Sequence, residues 1–228
     1  MNLTPVQSRI VGCLIEKEMA TPDNYPLTLN GLLTACNQTT NRNPVTKLDE
    51  HTVSNALQNL RAMNVVRIVY SRSNRADKFR HVLDEMLALE PENMALLCVL
   101  MLRGPQTSGE LRTRTERLHT FSSQEEVDDV LRRLAGRNEP LVARLERRPG
   151  QKESRWAHLL GADLAEILAG DDDDDNEPAT DGRPPRIDRV AALEDAVAGL
   201  RADLERLRKA HLALAERLGE SDPELDEA

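Results

Sequence analysis

Three amide side chains, Asn55, Gln58 and Asn59, lie on one side of a helix-patterned stretch, and the cations Arg72, Arg75 and Lys78 follow shortly downstream. An amide donates and accepts at once, which suits the major-groove edge of adenine, whereas Lys and Arg meet phosphate oxygens. Arg42 and Lys47, just upstream, extend the phosphate-seeking set. The plainer alternative is that a surface helix needs polar residues anyway and that a basic loop tip is merely soluble.

The elements that must position these residues are legible in the apolar spacing. Between Asp49 and Asn64, Val53, Ala56, Leu57, Leu60 and Met63 recur with helical period, which turns Asn55, Gln58, Asn59 and Arg61 outward. Val66, Ile68 and Tyr70 then alternate with Arg67, Val69 and Ser71 as in a half-buried strand, and Phe79 to Val82 supplies the return. Upstream, Thr4-Pro5-Val6-Gln7 carries a capping box for a first helix, and Thr28 caps a second. A helix that passes directly into a hairpin with an arginine-rich tip is the plan of a winged helix-turn-helix.

That plan returns later in the chain. Val127, Leu131 and Leu134 repeat the spacing of Val53, Leu57 and Leu60, and Leu141 to Leu145 with Arg155 to His158 offer a second hairpin. This copy differs in charge. Glu125, Glu126, Asp128 and Asp129 crowd the start of its third helix, where carboxylates suit the helix dipole but repel a phosphate backbone. Asp128 with Arg132 and Asp129 with Arg133 have the spacing of internal ion pairs, so Asp128 and Asp129 become candidates for docking a protein.

The expected fold is therefore α+β and mostly helical. Two tandem winged helix-turn-helix domains over 1–85 and 90–165 precede an acidic linker over 170–186 and a coiled-coil helix over 187–219. In the last segment Val190, Leu193, Val197, Leu200, Leu204, Leu207, His211 and Leu214 form a narrow seam that predicts a homodimer. A helix folded back on its own domains is the other way to cover that seam.

Charge has to be divided before it is informative. Residues 1–82 hold ten Lys and Arg against six Asp and Glu, whereas residues 171–228 hold eight against eighteen. The acidity belongs to the tail, and a locally basic first copy can still attract phosphate, because screening confines exposed charges to about 8 Å.

Other chemistries find little support. His51, His81, His119, His158 and His211 lack metal-ligand spacing, and the chain has no phosphate-cradling glycine loop and no nucleophile elbow. Cys13, Cys36 and Cys98 are odd in number and set among apolar residues, which points to buried thiols. Tyr25, Tyr70, Phe79, Phe121 and Trp156 are the only aromatics, too few for a single-strand scheme built on base stacking. The longest apolar run, Met94 to Leu102, is too short to span a bilayer. These features predict a non-enzymatic cytoplasmic protein with no cofactor, no metal and no membrane partner, acting on duplex DNA or, alternatively, as a protein adaptor.

Specific motifs also carry a resemblance. Thr21 to Asn30, Ala35-Cys36-Asn37-Gln38, Asn41 to Val45, Gly104 to Arg112 and Glu153-Ser154-Arg155 strongly resemble the YceH-like family of uncharacterised bacterial proteins. The resemblance covers about residues 3–160. It implies tandem winged-helix domains with a coiled helix at the end, and it brings no established activity.

Overall fold

The computed structural model describes residues 1–70, 76–147 and 153–161, with Arg206 and Lys209 as isolated helical positions. Arg72 and Arg75, the acidic linker over 170–186 and the seam from Val190 to Leu214 lie outside the described residues. Met1–Asp175 forms one compact unit and Asn176–Ala228 another. Among the described residues the protein is α+β, with seven helices and five short strands.

Helix α1 (Pro5–Ala20) starts on its capping box: the Thr4 hydroxyl accepts from the Gln7 amide at 3.3 Å, and the Thr4 amide donates to Gln7 Oε1 at 2.8 Å. A 3₁₀ turn over Pro22–Asn24 leads to strand β1 (Leu27–Thr28) and helix α2 (Leu29–Cys36), capped by Thr28. Helix α3 (Glu50–Ala62) precedes strands β2 (Val66–Val69) and β3 (Lys78–His81). The sheet order is β1-β3-β2, all antiparallel, with Ile68 and Leu27 both opposite Phe79. β1 has only two residues, too few to show a strand period in sequence.

A short helix α4 (Leu83–Leu87) connects to α5 (Pro91–Arg103), and the order then repeats: α6 (Ser108–Thr115), α7 (Gln124–Ala135), β4 (Val142–Arg144) and β5 (Trp156–His158). A single bridge takes the place of β1 here. The Gln106 amide donates to the Trp156 carbonyl at 3.0 Å, and the Trp156 amide donates to the Gln106 carbonyl at 2.7 Å.

Both copies contribute to one continuous apolar cluster, which runs from Leu3 and Ile10 through Leu57 to Leu97 and Leu131. Every residue from Met94 to Leu102 is buried, because α5 is covered by α1 on one side and by α6 and α7 on the other. Gly12 sets how closely α1 and α5 approach. A Cβ there would lie 2.9 Å from Leu102 Cδ2, and the Cys98 thiol donates to the Gly12 carbonyl at 3.4 Å. Cys13, Cys36 and Cys98 are all free and buried.

Candidate nucleic-acid interface

Helix α3 buries Val53, Ala56, Leu57 and Leu60, which leaves Asn55, Gln58, Asn59 and Arg61 exposed together on the opposite side. Asn55 lies beside His51 at 3.2 Å, and Gln58 and Asn59 face open solvent. Asp49 Oδ1 caps the helix by accepting from the Thr52 amide at 2.7 Å, and this bond holds the Asp49 carboxyl below its ordinary pKa. At the other end the Val65 amide donates to the Leu60 carbonyl at 2.9 Å and the Asn64 amide to the Arg61 carbonyl at 3.0 Å. These are the two bonds of a Schellman motif, with Asn64 left-handed at φ 58°. The motif fixes the direction in which β2 leaves the amide-bearing helix.

On the hairpin, Arg67 and Arg80 sit directly opposite each other, and Glu85 from α4 binds both, at 2.9 Å from Arg67 Nη1. Those two cations share one carboxylate, which offsets half of their charge. Lys78 starts β3 half-buried, and Lys47 is exposed in the connection before α3. Tyr70 departs from the inward row that alternation with Val66 and Ile68 implies: it is 80 % exposed just past the end of β2 at Val69. This exposed ring was not among the predicted contacts, and only its position at the strand end signals it.

Arg42 requires a correction. Its side chain is fully buried, and its N–H groups donate to Glu16 Oε1 at 3.0 Å, Glu16 Oε2 at 2.6 Å, Gln38 Oε1 at 2.8 Å and the carbonyls of Ala35 and Asn41. Burial opposes the charge on each partner, and the mutual hydrogen bonds outweigh it, so the Arg42 pKa is raised and the Glu16 pKa lowered. A guanidinium so saturated has no donor left for phosphate. The polar connection 37–44 thus spends its polar groups on the rest of the unit, with the Asn37 side chain pairing both the amide and the carbonyl of Leu48 at 2.8 Å. Glu16, which looks like part of a charged helix face in sequence, is the counter-ion that makes this possible.

His81 is also interior. It is 2 % exposed, with Nε2 2.5 Å from Glu18 Oε2 and its amide donating to the Tyr25 hydroxyl at 2.9 Å. Glu16 and Glu18, two residues apart on α1, therefore anchor two different pieces of the first copy.

In the second copy, the predicted pairing of the acidic helix is rearranged. Asp128 is half-buried and accepts from the Ser108 hydroxyl, tying α7 to α6. Arg132 reaches Asp129 at 2.5 Å, one residue nearer in the helix than Arg133, which instead lies 3.9 Å from Glu92. Asp129 and Glu125 remain exposed, while Glu126 accepts from the Ser122 amide and hydroxyl at 2.7 Å. A cleft of about 460 Å³ between α1, α5 and α6 is lined by Lys17, Arg103, Arg114 and Arg117, with Arg103 donating to Asn41.

Among the described residues no three His, Cys, Asp or Glu side chains gather where they could hold a metal, and no helix is long and apolar enough to cross a membrane.

A duplicated helix-and-hairpin unit with a shared core, and with charge chemistry that differs between its copies, is the frame in which the sequence comparisons fall. The chain belongs to the family described as protein of unknown function, DUF480, whose model matches residues 3–151. It is 48 % identical over 209 residues to a UPF0502 protein of Pelobacter propionicus, covering 92 % of this chain and 94 % of the relative. A UPF0502 protein of Geobacter sulfurreducens is 49 % identical, with 87 % and 90 % covered, and one of Pseudoalteromonas atlantica is 40 % identical, with 92 % and 96 % covered. The resemblance to uncharacterised bacterial proteins is thereby established over nearly the whole chain.

Proposed function

We propose that the protein is a cytoplasmic, non-enzymatic DNA-binding regulator made of two tandem winged helix-turn-helix units, with duplex contact through the first and homodimerisation through the C-terminal helix. The observation that carries this reading is the exposed amide face of α3, held by the Asn64 turn against a hairpin whose tip is basic in sequence. Asn55, Gln58 and Asn59 would reach base edges, and Lys47, Arg72, Arg75 and Lys78 would meet phosphates, with Tyr70 at the wing root as an added contact. Fluorescence anisotropy of the full chain with short duplexes across a salt series tests it. Four phosphate contacts give a log-log slope of about −3 to −4. Negligible affinity at low salt, together with no effect of Arg72→Ala and Arg75→Ala, would overturn the reading. A mass measurement of the full chain checks the dimer.

A second reading, a protein adaptor, draws on the exposed carboxylates of α7. Asp129 is its cleanest probe, because Asp128 is already held by Ser108. Asp129→Lys should abolish capture of a basic partner without lowering thermal stability.

A further inference from the structure

A pocket of about 450 Å³ opens where the start of α1, the segment Asn43–Leu48, the end of α5 and the strand β5 converge. Its walls are mainly apolar, from Leu3, Val6, Pro44, Leu48, Leu100 and Met101. That size suits a small organic ligand.

One charge lies in this wall. Arg9 is 5 % exposed, its Nη2 donates to the Pro44 carbonyl at 2.6 Å, and its Nη1 has no partner among the described residues. Arg42, the other buried arginine of this copy, has Glu16, whereas no described carboxylate lies in ion-pair distance of Arg9. A guanidinium stays protonated in a protein, so its burial without a counter-ion is costly and favours any anion that can reach it. Two further polar features line the pocket. The N-terminus of the 16-residue helix α1, at Thr4, Pro5 and Val6, borders the pocket and brings the positive end of its dipole. Opposite, His158 has its Nδ1 buried without a partner, and burial pushes its pKa down to about 4, so at neutral pH it contributes a hydrogen-bonding ring and no charge.

We propose that this pocket binds a small apolar monocarboxylate, aromatic or short-chain aliphatic, with its carboxylate against Arg9 and its hydrocarbon part among Leu3, Val6, Leu48 and Met101. A single cation within apolar walls favours one negative charge over the two of a phosphate monoester.

Calorimetric titration of the full chain with benzoate and octanoate, against benzamide and octanamide, tests the assignment without reference to DNA. Each carboxylate should bind about tenfold tighter than its amide or better, as a charge-assisted pair requires. Arg9→Met, which keeps the apolar stem, should erase that preference, and Met101→Trp, which fills the pocket, should weaken all four compounds. Absence of binding, equal affinity for acid and amide, or a preference that survives Arg9→Met would overturn the proposal. Tighter binding of inorganic phosphate than of benzoate would overturn the ligand class. Should Arg9→Met fail to fold, the affinity of Met101→Trp for benzoate decides the location: a loss supports this pocket and unchanged affinity overturns it.

Discussion

The two copies of the helix-and-hairpin unit are built in the same order, yet they hold their parts together by different forces. In the first, the connection between α2 and α3 is tied down by an ion pair, Arg42 with Glu16, whose arginine is sealed from water. In the second, the connection between α6 and α7 is held by an apolar anchor, with Phe121 3 % exposed and the His119 ring against it at 4.7 Å. The outward faces of the third helices diverge as well: α3 presents neutral amides, and α7 presents carboxylates, some of which are consumed internally. Duplication thus preserved the scaffold while the chemistry on each face separated.

The largest expected effect comes from breaking the ion pair. Arg42→Met leaves Glu16 with only Lys17, 3.4 Å away, and should cost about 3–4 kcal/mol in chemical denaturation. The double variant Arg42→Met/Glu16→Gln should recover part of that loss, and Phe121→Ala should show no comparable rescue from any charge change. Next in size is transplanting the charge of α7 onto α3. Asn55→Asp/Gln58→Glu/Asn59→Asp should lower duplex affinity about a hundredfold at low salt with little change in stability, whereas Asp129→Asn in α7 should leave it unchanged. Equal effects on the two helices would remove the distinction between the copies.

A third test uses pH. Burial holds the His158 pKa near 4, below its usual 6.5, so the unfolded chain binds the extra proton first. The resulting contribution is complete above pH 6.5 and is lost as pH falls toward 4, a change of roughly 1–2 kcal/mol once partial exposure is allowed for. His158→Gln should flatten the stability profile in that window. The smallest effect concerns the turn after α3. Asn64→Ala should destabilise by about 1 kcal/mol, because a left-handed residue is strained with a Cβ and without a local hydrogen-bonding side chain, while Asn64→Gly should be near neutral. The second copy has no such position: among the described residues none that follows α7 is left-handed.

Helices were legible in sequence because their caps and apolar periods are local. Thr4, Thr28, Asp49 and Thr107 each cap the helix that follows. The two-residue strand β1 and the bridge at Gln106 were not, since pairing partners lie far along the chain and two residues carry no period. On the candidate site, the outward amides of α3 followed from helical geometry alone. The fate of Arg42 did not, because whether a cation meets solvent or a carboxylate depends on Glu16, 26 residues earlier. Asp128 was misassigned to Arg132 for the same reason: spacing along one helix says nothing of Ser108 on the next.

The burial of α5 on every side has a consequence for how such a protein can be taken apart. A fragment ending before Pro91 would strip α1 of the surface that packs on Gly12, and a fragment beginning there would expose Leu96, Leu97 and Leu100 to water. Neither half should fold on its own. Chain breaks or circular permutations should therefore be poorly tolerated at the junction between the repeats, where the sequence alone would place the natural cut.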